Sequence, residues 1–179
     1  MATKNNTSVE TAPCEVIIRR RIAAPRELVF DAFTDASQLA KWFGPRIFTA
    51  TAETDPRVGG RYTLAMHGPE NGPPEMRGPF PIKGEYREVV RPERLVYTSD
   101  LSDHPQSWKD MLKRSIAGLG SESFLTSLVT ITFEEVNGDT NLTIRNRFES
   151  NAIRDGYLKL QMGEGWSGSL DKLEELLAK

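Results

Sequence analysis

Hydrophobic and polar residues alternate with a period of two along much of the chain, and this pattern predicts strands. The first is residues 14–22, in which Arg20 interrupts a face that is otherwise apolar. Six further stretches with the same alternation are separated by turn-forming residues and also predict strands. They are residues 47–55, 61–66, 82–90, 95–101, 128–136 and 140–149.

Helical spacing of apolar residues appears between and after these strands. Pro25 begins one short helix, and Asp35 caps a second that ends at Gly44-Pro45. A third short helix is predicted within residues 102–123. From position 150 to about 178 the spacing predicts one long helix. Its apolar face consists of Met162, Trp166, Leu170, Leu173 and Leu177.

The order of these elements predicts the fold class. One strand, two short helices, six strands and a long helix favour an α+β domain with a seven-stranded curved antiparallel sheet. The sheet must curl around the C-terminal helix, because that helix has a continuous apolar stripe to bury. Residues 1–13 are small and polar and are predicted to be a disordered tail, so that the domain comprises residues 14–179.

Composition and charge narrow the classes of partner. The net charge is −2, and no stretch carries a basic run suited to phosphates, which argues against nucleic acid. No apolar run approaches the roughly 20 residues that span a bilayer. Cys14 is the only cysteine, so a disulfide within the chain is impossible and a reducing compartment, the cytoplasm, is the expected location.

The sequence contains no recognisable catalytic or metal-binding set. His67 and His104 are the only histidines and lie far apart, whereas a metal site needs three or four ligands at a recognisable spacing. Cys14 has no neighbouring histidine in the sequence. Gly59-Gly60 joins two predicted strands, whereas a nucleotide-binding loop opens a helix. We therefore predict no catalytic residues, no metal and no cofactor.

Several segments together resemble a known bacterial group. They are residues 22–45, 59–62, 80–98 and 129–148, and the helix that contains Gly165-Trp166. The chain resembles the domain homologous to the activator of the heat shock protein 90 ATPase, within the START-like helix-grip (SRPBCC) superfamily. This resemblance implies a seven-stranded sheet that grips the C-terminal helix around a cavity. In the wider superfamily such cavities bind lipids, sterols, polyketides or plant hormones.

A set of apolar and aromatic residues is expected to line this cavity. The set comprises Trp42, Phe43, Tyr62, Leu64, Tyr86, Tyr97, Phe133, Ile144, Asn146, Met162 and Trp166. For Trp42 and Phe43 the alternative is simple packing of the short helix onto the sheet. Arg20 and Asn146 are polar on apolar faces and need partners. Either they anchor a polar group of a ligand, or they pair within the protein.

Two further features of the sequence have alternative interpretations. Gly163, Gly165 and Gly168 are unusual within a helix, and they either leave room for a ligand or allow close approach of the sheet. Residues 102–123 are longer than the pattern that the resemblance implies, and we interpret them as an insertion. With Trp108, Leu112 and Ile116 this insertion is a lid over the cavity, a dimer contact or a decoration on the sheet edge.

Three functions from different classes fit the sequence. The first is binding of a small apolar molecule in the cavity. The second is stimulation of a chaperone ATPase, which the family name suggests. The third is a cyclase or hydratase that acts on polyketide-like substrates with a single acid or base. Both a monomer and a homodimer are compatible with the sequence.

Overall fold

The computed structural model describes residues 6–120 and 123–179. Within these residues, eight strands form one antiparallel sheet in the order β1-β2-β8-β7-β6-β5-β4-β3. The strands are β1 (Ser8–Ala12), β2 (Glu15–Ile22), β3 (Thr49–Thr54), β4 (Arg61–His67), β5 (Phe80–Val90), β6 (Arg94–Asp100), β7 (Thr126–Val136) and β8 (Asp139–Arg147). The helices are α1 (Arg26–Thr34), α2 (Ala36–Trp42), α3 (Pro74–Arg77), α4 (Gln106–Ser115), α5 (Asn151–Lys159) and α6 (Met162–Leu177).

The predicted α+β class with an antiparallel sheet is confirmed, and the local signals that divide the chain have the expected chemistry. The carboxylate of Asp35 accepts a hydrogen bond from the backbone N–H of Gln38 at 2.9 Å, as a helix cap requires. Asn137 and Gly138, with φ of 53° and 84°, form the tight turn between β7 and β8. No helix among the described residues is long and apolar enough to cross a membrane.

The number of strands corrects the prediction of seven. Residues 8–12, predicted to belong to a disordered tail, form the edge strand β1 and pair with β2, with Val9 opposite Ile18. Most side chains of β1 are exposed, so its sequence carries no apolar alternation. Backbone hydrogen bonds to β2 hold this strand in the sheet. Such bonds do not depend on which side chains are present, so the amino-acid composition of the segment does not indicate them. Residues 1–5 of the predicted tail lie outside the described residues.

The single C-terminal helix predicted from position 150 to 178 is also wrong in detail. The chain forms two helices, because Gln161 adopts the left-handed conformation with φ of 62°. The backbone N–H of Leu160 already bonds to the carbonyl of Tyr157, which tightens the last turn of α5. This break lets α5 pack against α4 while α6 packs against α2 and β2.

The core lies where α1, α2 and α6 meet the sheet. Leu170 and Leu173 of α6 are fully buried. Trp42 is also fully buried, and its indole Nε1 donates to the carbonyl of Ala32 at 2.8 Å. The helices therefore cover part of the inner face of the sheet, and a cavity occupies the remaining space between the sheet and the helices.

Candidate functional site

A cavity of about 920 Å³ lies between the sheet and α6. Side chains from β4 to β8 form one wall, and α6 forms the opposite wall. The remaining sides come from α4, α3 and the segment that follows α2, residues 43–48. Most of the lining is apolar or aromatic, which is the usual character of a site for a small apolar molecule.

Three tyrosines form a cluster on the sheet wall. The ring centroid of Tyr62 lies 5.7 Å from that of Tyr86 and 5.3 Å from that of Tyr97. The Tyr62 hydroxyl donates to the carbonyl of Thr98 at 2.8 Å, whereas the hydroxyls of Tyr86 and Tyr97 have no hydrogen-bond partner among the described residues. Burial raises the pKa of Tyr86 to about 12 and that of Tyr97 well above its ordinary value. These hydroxyls are therefore neutral groups at physiological pH.

The helix wall contributes a second aromatic group. Phe43 and Trp166 meet edge to face with their ring centroids 5.7 Å apart. Met162 and Gly165 lie beside them on α6 and also line the cavity. A Cβ placed on Gly165 would have no atom within 4 Å, so this glycine borders open space.

Asn146 is a buried polar residue on the sheet wall. It is 4% exposed, and its neighbours on the adjacent strands are Val16 of β2 and Val129 of β7. Its side chain lines the cavity, and its Nδ2 has no hydrogen-bond partner among the described residues. Asn146 was predicted either to anchor a ligand or to pair within the protein. The structure contains no such internal partner for its Nδ2 among the described residues.

His104 also lines the cavity, whereas the sequence pattern concerned it only as one of two histidines too far apart for a metal site. Its Nδ1 lies 2.8 Å from the carbonyl oxygen of Pro81. Because a carbonyl oxygen only accepts, Nδ1 carries the proton and Nε2 is an acceptor. Burial lowers the pKa of His104 to about 4, so the imidazole is neutral at physiological pH. Its ring packs against Trp108 of α4 with centroids 4.4 Å apart.

The boundary between cavity and solvent is an apolar rim, which we define as Ile47, Met76 and Met111. These side chains line the cavity and are nevertheless 61%, 40% and 43% exposed. The charged residues that line the cavity are exposed as well, which places them near the same boundary. They are Glu75, Arg114 and Glu164.

The structure brings together most of the predicted lining residues. Those that line the cavity are Phe43, Tyr62, Leu64, Tyr86, Tyr97, Asn146, Met162 and Trp166. Trp42, Phe133 and Ile144 do not line it and are buried in the core. Trp42 packs against Phe33, and Phe133 packs against Phe30, so the helices α1 and α2 cover both residues. Their positions therefore correct the prediction, and the packing alternative holds for Trp42.

Arg20 does not anchor anything in the cavity. Its guanidinium forms an ion pair with Asp171 at 2.7 Å and donates a hydrogen bond to Glu174, and both acids lie on α6. The prediction of Arg20 as a ligand anchor is therefore wrong, and the internal pair is correct. The partners differ from the glutamates that the sequence suggested.

The predicted lid residues share one face of α4 and the residue that follows it, but only one of them reaches the cavity. Trp108 lines the cavity, whereas Leu112 and Ile116 do not and are almost fully buried. A Cβ on Gly156 of α5 would come within 2.5 Å of Ile116, so this isoleucine fills the junction with α5. Residues 121 and 122 of the predicted insertion lie outside the described residues.

The three glycines of α6 have different surroundings. A Cβ on Gly163 would approach Cγ2 of Val9 to 2.9 Å, so this glycine permits close packing of β1. A Cβ on Gly168 would make only ordinary contact with the backbone of Pro45 and Arg46. Gly165 alone of the three lines the cavity, so each interpretation of the glycines applies to a different residue.

Comparisons with known proteins agree with this architecture. A family model described as "Activator of Hsp90 ATPase homolog 1-like protein" matches residues 23–178. A protein from Mycobacterium smegmatis has 24% identity and a TM-score of 0.75, and the match covers 96% of each chain. A protein from Nitrosomonas europaea has 23% identity and a TM-score of 0.73, with 94% of this chain and 97% of that chain covered.

A third solved structure, of a protein from Chromobacterium violaceum, has 28% identity and a TM-score of 0.68. That match covers 94% of this chain and 99% of that chain. No curated protein shows detectable similarity to this chain. Similarity at these levels of identity shows a shared fold over nearly the whole chain.

Proposed function

The chain belongs to the family of Activator of Hsp90 ATPase homolog 1-like proteins, and we propose that it binds a small apolar molecule in the cavity between its sheet and α6. The observation that carries this proposal is the cavity itself. Its volume of about 920 Å³ falls within the range of roughly 300–1,000 Å³ that is common for small-molecule sites.

The lining supports the same conclusion. Aromatic side chains from both walls, including Tyr97 and Trp166, face the cavity. Removal of apolar surface from water is favourable by about 25 cal/mol per Å². An apolar molecule that covers these side chains is therefore a better occupant of the cavity than water. The apolar rim gives such a molecule a continuous apolar path from the surface to the interior.

Two measurements test this proposal. The protein purified under native conditions is analysed by native mass spectrometry for a bound small molecule, and it is titrated with the neutral fluorescent probe N-phenyl-1-naphthylamine. We expect saturable binding of the probe with one site per chain. Fluorescence that rises without saturation, together with a native mass equal to that of the bare chain, would contradict the proposal.

The family description names a second function, stimulation of the Hsp90 ATPase. A cavity that encloses a small molecule does not by itself provide a surface for a chaperone. We therefore expect no change when the protein is added to a bacterial Hsp90 homologue and the rate of ATP hydrolysis is measured. A reproducible, concentration-dependent increase in that rate would favour the second function.

A further inference from the structure

We propose that the ligand is an uncharged molecule with an oxygen acceptor, such as a ketone or an alcohol with an apolar body, and that Asn146 donates a hydrogen bond to that oxygen. This inference rests on the proposed function and specifies the chemistry of its ligand. Three observations support it: the hydrogen bonding of the Asn146 side chain, the charge of the groups inside the cavity and the place of the buried arginine, Arg20.

The first observation is the unpartnered amide of Asn146. A buried donor without an acceptor destabilises a protein by about 1–3 kcal/mol relative to a paired one. Asn146 is 4% exposed, lies between Val16 and Val129, and lines the cavity. Since neither neighbouring strand offers its side chain an acceptor and Nδ2 is itself buried, a ligand acceptor in the cavity reaches it after a half-turn of the amide that exchanges Nδ2 with Oδ1.

The second observation is that the interior of the cavity carries neutral polar groups. Besides Asn146 these are the hydroxyls of Tyr86 and Tyr97 and the imidazole of His104. Tyrosine hydroxyls donate to an oxygen acceptor, and Nε2 of His104 accepts from a hydroxyl. The charged groups among the described lining residues are exposed, and the one cation there is Arg114.

The third observation concerns the fate of a carboxylate in this space. An ionised carboxylate that leaves water without a cationic partner is strongly disfavoured. Arg20, the one buried arginine among the described residues, does not line the cavity and is engaged by Asp171 and Glu174. A fatty acid would therefore enter less readily than a neutral molecule of the same length.

A competition experiment with matched ligands tests this inference. Bound N-phenyl-1-naphthylamine is displaced by 2-tridecanone, tridecane or dodecanoate at pH 7.5. We expect the ketone to displace the probe at about five- to tenfold lower concentration than the alkane, as one hydrogen bond predicts. Dodecanoate should be weaker than the ketone, and its apparent affinity should rise as the pH is lowered and the acid becomes neutral.

Two variants assign the effect to a residue. Asn146→Leu should reduce the advantage of the ketone over the alkane to less than about twofold. Asn141→Leu is the matched control, since it makes the same change on β8 at a position that does not line the cavity, and it should leave the advantage intact. The comparison of ligands on the unmodified protein does not depend on whether either variant folds.

The outcomes separate this inference from the proposed function. If the probe binds but dodecanoate competes as well as the ketone at pH 7.5, the inference is overturned and the proposed function stands. An equal advantage of the ketone in Asn146→Leu would also overturn the role of Asn146. If no apolar probe binds the unmodified protein, both the proposed function and the inference fail.

Discussion

Arg20 on β2 and Asp171 on α6 form an ion pair in which Nη1 and Oδ1 lie 2.7 Å apart. The Arg20 side chain is only 4% exposed. Burial alone would lower the pKa of Arg20, but the hydrogen bonds and charges of Glu174 and Asp171 outweigh it and raise the pKa. This contact joins the sheet to the last helix, and none of the three residues lines the cavity.

Replacement of Arg20 by methionine should therefore affect stability and leave ligand binding unchanged. Asp171 and Glu174 would lose their partner, and we expect the free energy of unfolding to fall by about 1–3 kcal/mol. Urea denaturation measures this loss. Arg19→Met is the control, because Arg19 is half-exposed and its ion pair with Glu10 should contribute less than about 1 kcal/mol. A weaker affinity of Arg20→Met for dodecanoate, with unchanged affinity for tridecane, would restore Arg20 as an anchor.

Leucine at two glycines of α6 should have opposite effects. Gly165→Leu places a side chain in open space at the cavity wall, so we expect probe binding to weaken by at least about tenfold, or about 1.4 kcal/mol. The free energy of unfolding of Gly165→Leu should not fall, since leucine favours a helix by about 0.8 kcal/mol over glycine.

Gly163→Leu should instead lose about 1–3 kcal/mol of unfolding free energy, because the new side chain collides with Val9. Thermal denaturation and probe titration of both variants check this, and unaltered probe binding by Gly165→Leu would contradict it.

Two adjacent positions of α4, one exposed and one buried, should separate stability from binding. Leu112→Ala removes a fully buried side chain and should cost about 2–5 kcal/mol of unfolding free energy. Met111→Ala removes a half-exposed side chain of the apolar rim and should change stability by no more than about 0.5 kcal/mol. We expect Met111→Ala to alter the rate of probe entry in stopped-flow fluorescence. An entry rate equal to that of the unmodified protein would contradict the interpretation of residues 102–123 as a lid.

His104 should make the protein less stable in acid. Its pKa is about 4 in the folded chain and about 6.5 when unfolded, so the unfolded state binds more protons between these values. The stabilisation is complete above pH 6.5 and is lost as the pH falls toward 4. Between pH 7.5 and 5.0 it accounts for about 2 kcal/mol.

Urea denaturation at pH 7.5 and 5.0 measures this effect. His104→Gln should lose about 2 kcal/mol less than the unmodified protein between the two values. His67→Gln is the matched control, since it removes the only other histidine of the chain, and His67 does not line the cavity. Equal acid dependence in all three proteins would refute the prediction.

All four tyrosines of the chain should resist ionisation while the protein is folded. Burial raises the pKa of Tyr62, Tyr86, Tyr97 and Tyr157 above the ordinary value of 10. Stability contributed by these groups is present below pH 10 and is lost as the pH rises, because the unfolded chain releases its protons first. Absorbance at 295 nm should therefore rise together with the loss of far-ultraviolet circular dichroism. Tyrosinate that forms near pH 10 in a folded chain would contradict the burial of this cluster.

Sequence patterns predicted those elements whose signal is local and periodic. The hairpin of β7 and β8 follows from Asn137-Gly138, and α2 follows from its cap at Asp35. The strand β1 escaped detection because an edge strand with exposed side chains has no periodicity to detect. The break at Gln161 also lacks a signal, since neither glycine nor proline occurs at the left-handed position.

For the candidate site, the sequence predicted which residues line the cavity better than it predicted which residues contact one another. Tyr62, Tyr86 and Tyr97 lie on separate strands, and their predicted inward orientation required only the alternation of each strand. The partners of Arg20 lie about 150 positions away on α6, and several acidic residues were equivalent candidates. The role of His104 depends on its contact with Pro81, and no pattern distinguishes it from His67.

The apolar rim has a kinetic consequence. Ile47, Met76 and Met111 come from a loop and from two short helices, so no ladder of backbone hydrogen bonds fixes their separation. The interior groups Tyr86, Tyr97 and Asn146, by contrast, lie on strands of the hydrogen-bonded sheet. If the chain binds a guest molecule as we propose, we expect one part of the chain to govern how quickly the guest arrives and departs, and another to govern which guest is retained. Substitutions in the rim should then change residence time and leave selectivity unaltered.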